Sequence, residues 1–159
     1  MRPELLDPVR DQAKLQKLLP LAEEVFRLHE AGQGYAKELK AISCLATRIV
    51  GAYDIDVAFG CESPEDFARR LLIDWFALPN DLSEPEMLEL LEAICTARGN
   101  QVCISYWVKC LEVNTGDNRL SDLIFWPGEY FGDGFDGREL SPSEILEIAL
   151  RKKTKNSDV

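Results

Sequence analysis

The segment NQVCISYWVKCLEV, residues 100–113, predicts a helix that is apolar on nearly every side. With about 100° between successive residues, only Ser105, Lys109 and Glu112 fall into a narrow polar stripe. A helix this apolar lies in the centre of a core or offers apolar surface to another element or partner. We therefore expect the first 80 residues, a partner protein, or both, to cover part of this helix.

Three serines mark the starts of further helices. Ser63, Ser83 and Ser141 each precede a proline by one or two residues and an acidic residue by three. A serine oxygen caps free backbone N–H groups, proline fits the first turn, and the acid can close a capping box. The chain is thus predicted to be all-α, with further helices over residues 8–18, 20–31 and 35–50. Residues 54–59 alternate briefly and predict a short strand or an extended connector.

The charge of the chain is strongly negative. Its 159 residues include 28 acidic and 18 basic side chains, a net charge of −10. Residues 81–150 alone hold 14 acidic and 4 basic side chains. This balance argues against nucleic-acid binding and against docking on an anionic membrane, since both depend on basic residues. It favours a basic protein partner, whose encounter the charge would speed.

The single histidine and the cysteine pattern exclude several classes of enzyme and metal site. His29 is the only histidine, so a His-rich zinc site is excluded and a catalytic pair has one candidate base. No cofactor motif, metal cluster or catalytic constellation is recognisable, and we expect no enzyme, metal or cofactor. Five cysteines without a Cys-x-x-Cys pair predict reduced thiols in a bacterial cytoplasm. The chain shows no apolar signal core and no run of about 18 apolar residues.

A boundary is predicted at Pro79-Asn80-Asp81, where proline and turn-forming residues precede the serine start at Ser83. It divides the chain into an N-terminal helical region, residues 1–80, and a second domain, residues 81–159. The sequence assigns no role to the first region.

The second region resembles a known family in the order and spacing of four segments. They read SEPEMLELLEAICTA at 83–97, a helix ending in CLEV at 113, SDLIFWP at 121–127 and SPSEILEIAL at 141–150. In this order they resemble the bacteriocin immunity proteins that protect producers of colicins and pyocins with DNase domains. The resemblance covers roughly residues 81–153 and implies a four-helix bundle, here packed against the N-terminal helices.

The resemblance also implies a function and a site. Family members bind a basic nuclease tightly, one to one, beside its active site, and so block access of DNA. Carried over by position, the anchor residues on the third helix are Asp122, Phe125 and Trp126, with Ser121 beside them. The second helix would select the cognate toxin, and its implied contacts are Gln101, Ile104, Ser105, Val108 and Lys109, with Glu112 as a shared acid.

The sequence departs from the family pattern in three places. Phe125 and Trp126 stand where the family motif reads close to SDLIYYP, so no phenolic hydroxyl remains. The connector at residues 128–140 is long, with three aromatic residues among four glycines. Residues 1–80 have no counterpart. We expect N-terminal helices to pack on an apolar stripe of the second helix, formed by Val102, Tyr106, Cys110 and Val113.

Plainer interpretations stand beside each assignment. Phe125 and Trp126 could be core aromatics, Asp122 could be an N-cap of its short helix, and Ile104 and Val108 could serve packing alone. The alternative to a nuclease inhibitor is a helical adaptor that uses the same bundle for a partner other than a toxin. The adaptor would bind more weakly and suppress no toxic activity.

Overall fold

A computed structural model describes the backbone of residues 1–157 and the side chains of residues 1–151. All regular structure in these residues is helical, which confirms the all-α prediction. The helices are α1 (Pro3–Leu6), α2 (Gln12–Glu30), α3 (Ala36–Ala46), α4 (Ala52–Ala58), α5 (Pro64–Leu72), α6 (Glu84–Cys95), α7 (Gln101–Thr115), α8 (Leu120–Phe125), α9 (Pro127–Phe131) and α10 (Pro142–Ser157). None of the helices within the described residues is long and apolar enough to cross a bilayer.

The chain forms two compact units. The N-terminal unit is Asp7–Ile73, and the C-terminal unit joins Met1–Leu6 to Asp74–Val159. The first six residues therefore pack with the C-terminal part of the chain. The functional division into residues 1–80 and 81–159 stays a prediction.

The long helix α2 organises the N-terminal unit and contacts α3, α4 and α5. It runs without interruption through Pro20, where the sequence predicted separate helices over 8–18 and 20–31. That prediction was wrong because packing outweighs the hydrogen bond that a proline removes. Leu18, Ala22 and Val25 lie on one buried face that spans the proline, and Asp11 caps the start by accepting from the Lys14 N–H at 2.9 Å.

The predicted strand or connector at residues 54–59 is instead part of helix α4. Asp54 closes its first turn, because its carboxylate accepts the Gly51 N–H at 2.8 Å. Ile55 and Ala58 are fully buried at a spacing of three residues, which suits one helical face. The preceding helix ends earlier than the predicted residue 50, because Thr47 adopts a left-handed conformation with φ 53°.

The C-terminal unit is built on α7. Helices α6 and α10 contact α7 and each other, and α8 contacts α7 and α10. The predicted serine starts are confirmed here, since the Ser83 and Ser141 N–H groups each donate to a glutamate three residues on, at 2.9 Å. The core of this unit includes the fully buried residues Leu90, Leu91, Cys110, Leu111, Leu123 and Ala149.

The predicted apolar stripe on α7 is largely buried. Val102, Tyr106 and Cys110 are buried, whereas Val113 is 49% exposed. Within the C-terminal unit, α1 contacts α7, and the Trp75 ring meets Tyr106 edge-on with centroids 6.1 Å apart. Residues from the first 80 therefore help to cover α7, as expected. That the helices of the N-terminal unit pack on this stripe stays a prediction.

Candidate protein-binding site

A groove of about 660 Å³ lies between α7 and α8 in the C-terminal unit. Nine of the ten residues predicted to bind a partner line it, and only Asp122 does not. The lining residues are Gln101, Ile104, Ser105, Val108, Lys109, Glu112, Ser121, Phe125 and Trp126. The six contributed by α7 are spaced so that they share one face of the helix, while most of its other side chains are buried.

The α7 wall of the groove carries both apolar and charged side chains. Val108 lines the groove but is only 6% exposed, so most of its side chain packs against the protein core. Ile104 is half-buried, and Ser105 and Lys109 are exposed. The Lys109 ammonium pairs with the Glu112 carboxylate at 2.6 Å, placing one cation and one anion along this wall.

The α8 wall carries two exposed aromatic rings. Phe125 is 45% exposed and Trp126 is 60% exposed, and their ring centroids lie 5.7 Å apart in an edge-to-face arrangement. Helix α8 buries Leu120 and Leu123 instead. The two aromatics are therefore not the core residues that the plainer interpretation assumed, and their faces are open to another molecule.

Trp126 lies at the junction of two short helices. Helix α8 ends at Phe125, and Pro127 begins α9. The Trp126 N–H donates to the Asp122 carbonyl at 2.7 Å, and its own carbonyl accepts from Glu129 and Tyr130. The sequence interpretation missed α9, although a proline at the first position with an acid two residues later signals a helix start.

Asp122 sits outside the groove and is already paired. Its carboxylate accepts from the Arg119 Nε at 3.1 Å, and its side chain is 36% exposed. It is not an N-cap, since Arg119 occupies that position of α8, and Asp122 lies in the first helical turn. A carboxylate there is stabilised by the helix dipole.

Two residues that the sequence interpretation did not select form hydrogen bonds at the junction of α8 and α9. Arg119 contacts both short helices, and Tyr130 on α9 donates its hydroxyl to the Asp117 carboxylate at 2.6 Å. Arginine and tyrosine in a connector give no distinctive signal in a single sequence. Only the folded arrangement identifies them.

The groove has the chemistry of a protein-binding surface. It offers exposed aromatic area, one ion pair and several hydroxyl and amide groups, which suit a protein surface better than a small charged ligand. Within residues 1–151, no group of three or more His, Cys, Asp or Glu side chains could hold a metal ion. The described residues thus form an all-α fold whose C-terminal unit carries a groove with exposed aromatic side chains.

The family comparison falls on the part of the chain that contains the groove. Residues 80–155 match the model of the family described as colicin immunity protein / pyocin immunity protein. This match confirms the resemblance that the sequence predicted over roughly residues 81–153. Neither the curated proteins nor the solved structures give a significant match.

Proposed function

We propose that the protein binds and inhibits a cognate nuclease toxin, an HNH-type DNase, through the groove between α7 and α8. The observation that carries this proposal is the exposed Phe125–Trp126 pair, which borders the groove inside the segment that matches the immunity family. The protein would act by binding, in the bacterial cytoplasm and as one copy per toxin.

Aromatic anchors suit tight inhibition. Phenylalanine and tryptophan bury large areas at a low cost in side-chain entropy, and tryptophan is enriched among interface residues that dominate binding energy. Truncation of one such anchor typically costs about 2–4 kcal/mol. Phe125 and Trp126 lie side by side and open to solvent, so a toxin could bury both rings without disturbing the core.

The charge distribution supports a DNA-cleaving partner. A DNase must carry basic residues that hold the phosphate backbone, and residues 81–150 carry 14 acidic against 4 basic side chains. Opposite net charges accelerate encounter and make the association rate fall as salt rises. An inhibitor that must act before its target reaches DNA gains from such steering.

The test begins with a tagged copy of the full chain in its source bacterium. Co-purified proteins are identified by mass spectrometry, and each candidate is purified after denaturation and refolded. Its cleavage of DNA is then measured at increasing ratios of the inhibitor. We expect one basic protein whose DNase activity is abolished at one equivalent.

Alanine variants then test the groove. Trp126→Ala and Phe125→Ala should each weaken binding at least about 30-fold, which corresponds to about 2 kcal/mol. The matched control is Phe76→Ala, because Phe76 is a fully exposed aromatic in the same unit that does not line the groove. Equal affinities of all three variants would refute the groove as the toxin site. A partner without nuclease activity would instead favour the adaptor function.

A further inference from the structure

Helix α9 has an unusual attachment to the rest of the C-terminal unit. It is five residues long and has no buried residue, so no core side chain anchors it. Helices this short are unstable unless tertiary contacts hold them. The contacts that hold α9 also fix the backbone of Trp126, whose carbonyl accepts the Glu129 N–H at 2.9 Å and the Tyr130 N–H at 3.2 Å.

Arg119 joins the two short helices on either side of Trp126. Its guanidinium donates to the Asp122 carboxylate in α8 at 3.1 Å and to the Glu129 carbonyl in α9 at 2.7 Å. The same group lies over the Tyr130 ring, 5.3 Å from its centroid. An exposed ion pair alone contributes little, but a planar guanidinium with three fixed contacts restricts the angle between α8 and α9.

Tyr130 closes this arrangement through a buried carboxylate. Its hydroxyl donates to Asp117 Oδ2 at 2.6 Å, and Asp117 Oδ1 accepts the Arg119 N–H at 3.1 Å. Asp117 is fully buried, so its carboxylate depends on these two bonds in place of water. Asp117, Arg119 and Tyr130 thus each contact the other two. We call these three residues the junction network; they connect the start of α8 to α9.

We infer that Arg119 and Tyr130 are positioning residues, which hold Phe125 and Trp126 in the conformation that a toxin binds. The inference rests on the proposed function for the role of the two aromatics. Neither Arg119 nor Tyr130 lines the groove. Asp122 also contributes to this positioning, because its carboxylate accepts a hydrogen bond from Arg119.

Loss of the junction network should lower the fraction of the protein that is competent to bind. If α9 detaches, the backbone of Trp126 loses its restraint on one side, and only part of the population presents both rings correctly. Apparent affinity falls in proportion to that fraction. A competent fraction of about one tenth would weaken binding about tenfold without removing any contact with the toxin.

The first experiment measures amide hydrogen exchange in the free full-length protein. Arg119→Ala should accelerate exchange at the Trp126, Glu129 and Tyr130 amides at least about tenfold and leave amides of α7 unchanged. Tyr130→Phe, which keeps the ring but loses the bond to Asp117, should give a smaller acceleration. Arg119→Lys should restore part of the protection. The control is Arg98→Ala, because Arg98 is also exposed and bonds only locally, to Thr96 at 3.1 Å.

The second experiment is a double-mutant cycle for affinity toward the DNase identified above. Arg119→Ala should weaken binding about tenfold in the wild-type background and less than about twofold in the Phe125→Ala/Trp126→Ala background, where neither anchor remains to be positioned. Additive losses would overturn the inference, and so would unchanged exchange at the junction. If exchange accelerates but no nuclease partner exists, the positioning stands and only the proposed function fails.

Discussion

The indole nitrogen of Trp107 donates a hydrogen bond to the carbonyl of Leu5 at 2.6 Å, across 102 positions of sequence. Leu5 is fully buried and Trp107 is nearly so, with 4% of its surface exposed. The first helix therefore completes the C-terminal unit, although the whole N-terminal unit separates it from α7 in sequence. The Met1 amino group adds an ion pair with Glu89 at 2.7 Å.

Truncation of Leu5 should therefore destabilise the C-terminal unit. Leu5→Ala leaves a cavity against α7 and should lower the free energy of unfolding by about 2–4 kcal/mol. Leu6→Ala, in the same helix but at a 60% exposed position, should change it by less than about 0.5 kcal/mol. Urea unfolding followed by tryptophan fluorescence measures this, because all three tryptophans lie in the C-terminal unit. Equal effects of the two variants would contradict the packing of α1.

Asn114 connects the end of α7 to the segment that precedes α6. Its amide oxygen accepts the Leu82 N–H at 2.9 Å, and its amide nitrogen donates to the carbonyls of Pro79 and Cys110, both at 2.7 Å. Asn114→Ala leaves buried backbone groups without these partners and should cost about 2–3 kcal/mol. The exposed Asn118 provides the control, since Asn118→Ala should be nearly neutral. Urea midpoints of the two variants give the comparison, and a neutral Asn114→Ala would be inconsistent with this role.

Local signals in the sequence predicted most of the C-terminal unit. The helix starts at Ser83 and Ser141 depend on hydrogen bonds to a glutamate only three residues away, so the sequence alone predicts them. The family resemblance selected the groove residues of α7, from Gln101 to Glu112, and helical spacing then places them on one face of the helix. The exposure of Phe125 and Trp126 depends on which side chains of α8 fill the core, and the sequence left both outcomes open.

Contacts over long distances explain what the sequence did not predict. The continuity of α2 through Pro20 depends on packing against α3 and α5, which no local pattern of residues 8–31 encodes. The bond from Trp107 to Leu5 joins two segments that no periodicity relates. The contacts of Arg119 require the fold of the connector, since the same arginine in another loop conformation would be solvated.

The C-terminal unit should lose stability in acid below about pH 4.5. The side-chain hydrogen bond from Arg2, followed by bonds from Ser83, lowers the pKa of Glu86 to about 2. Bonds from Ser141, followed by one from Arg138, likewise lower the pKa of Glu144 to about 2. A pKa that is lower in the folded state stabilises the fold above the unfolded value and loses that contribution as pH falls towards the folded value.

Urea unfolding at pH values from about 6 to 2.5 tests this dependence. Glu86→Gln and Glu144→Gln should each reduce the wild-type stability at neutral pH and flatten its decline in acid, because one linked proton is removed. Glu84→Gln is the control, since Glu84 is exposed in the same helical turn as Glu86. A decline that is equally steep in all three variants would show that other groups cause the acid sensitivity.

Removal of the exposed aromatic pair should leave the fold intact. Phe125 and Trp126 keep about half of their surface in water, so the double variant Phe125→Ala/Trp126→Ala should lose less than about 2 kcal/mol of unfolding free energy. Trp107→Ala, which deletes a buried ring of the same kind, should lose about 3–5 kcal/mol. Near-ultraviolet circular dichroism and urea unfolding distinguish the two. A double variant as damaged as Trp107→Ala would mean that α8 depends on its aromatics for packing, and a loss of toxin affinity could then no longer be attributed to the groove.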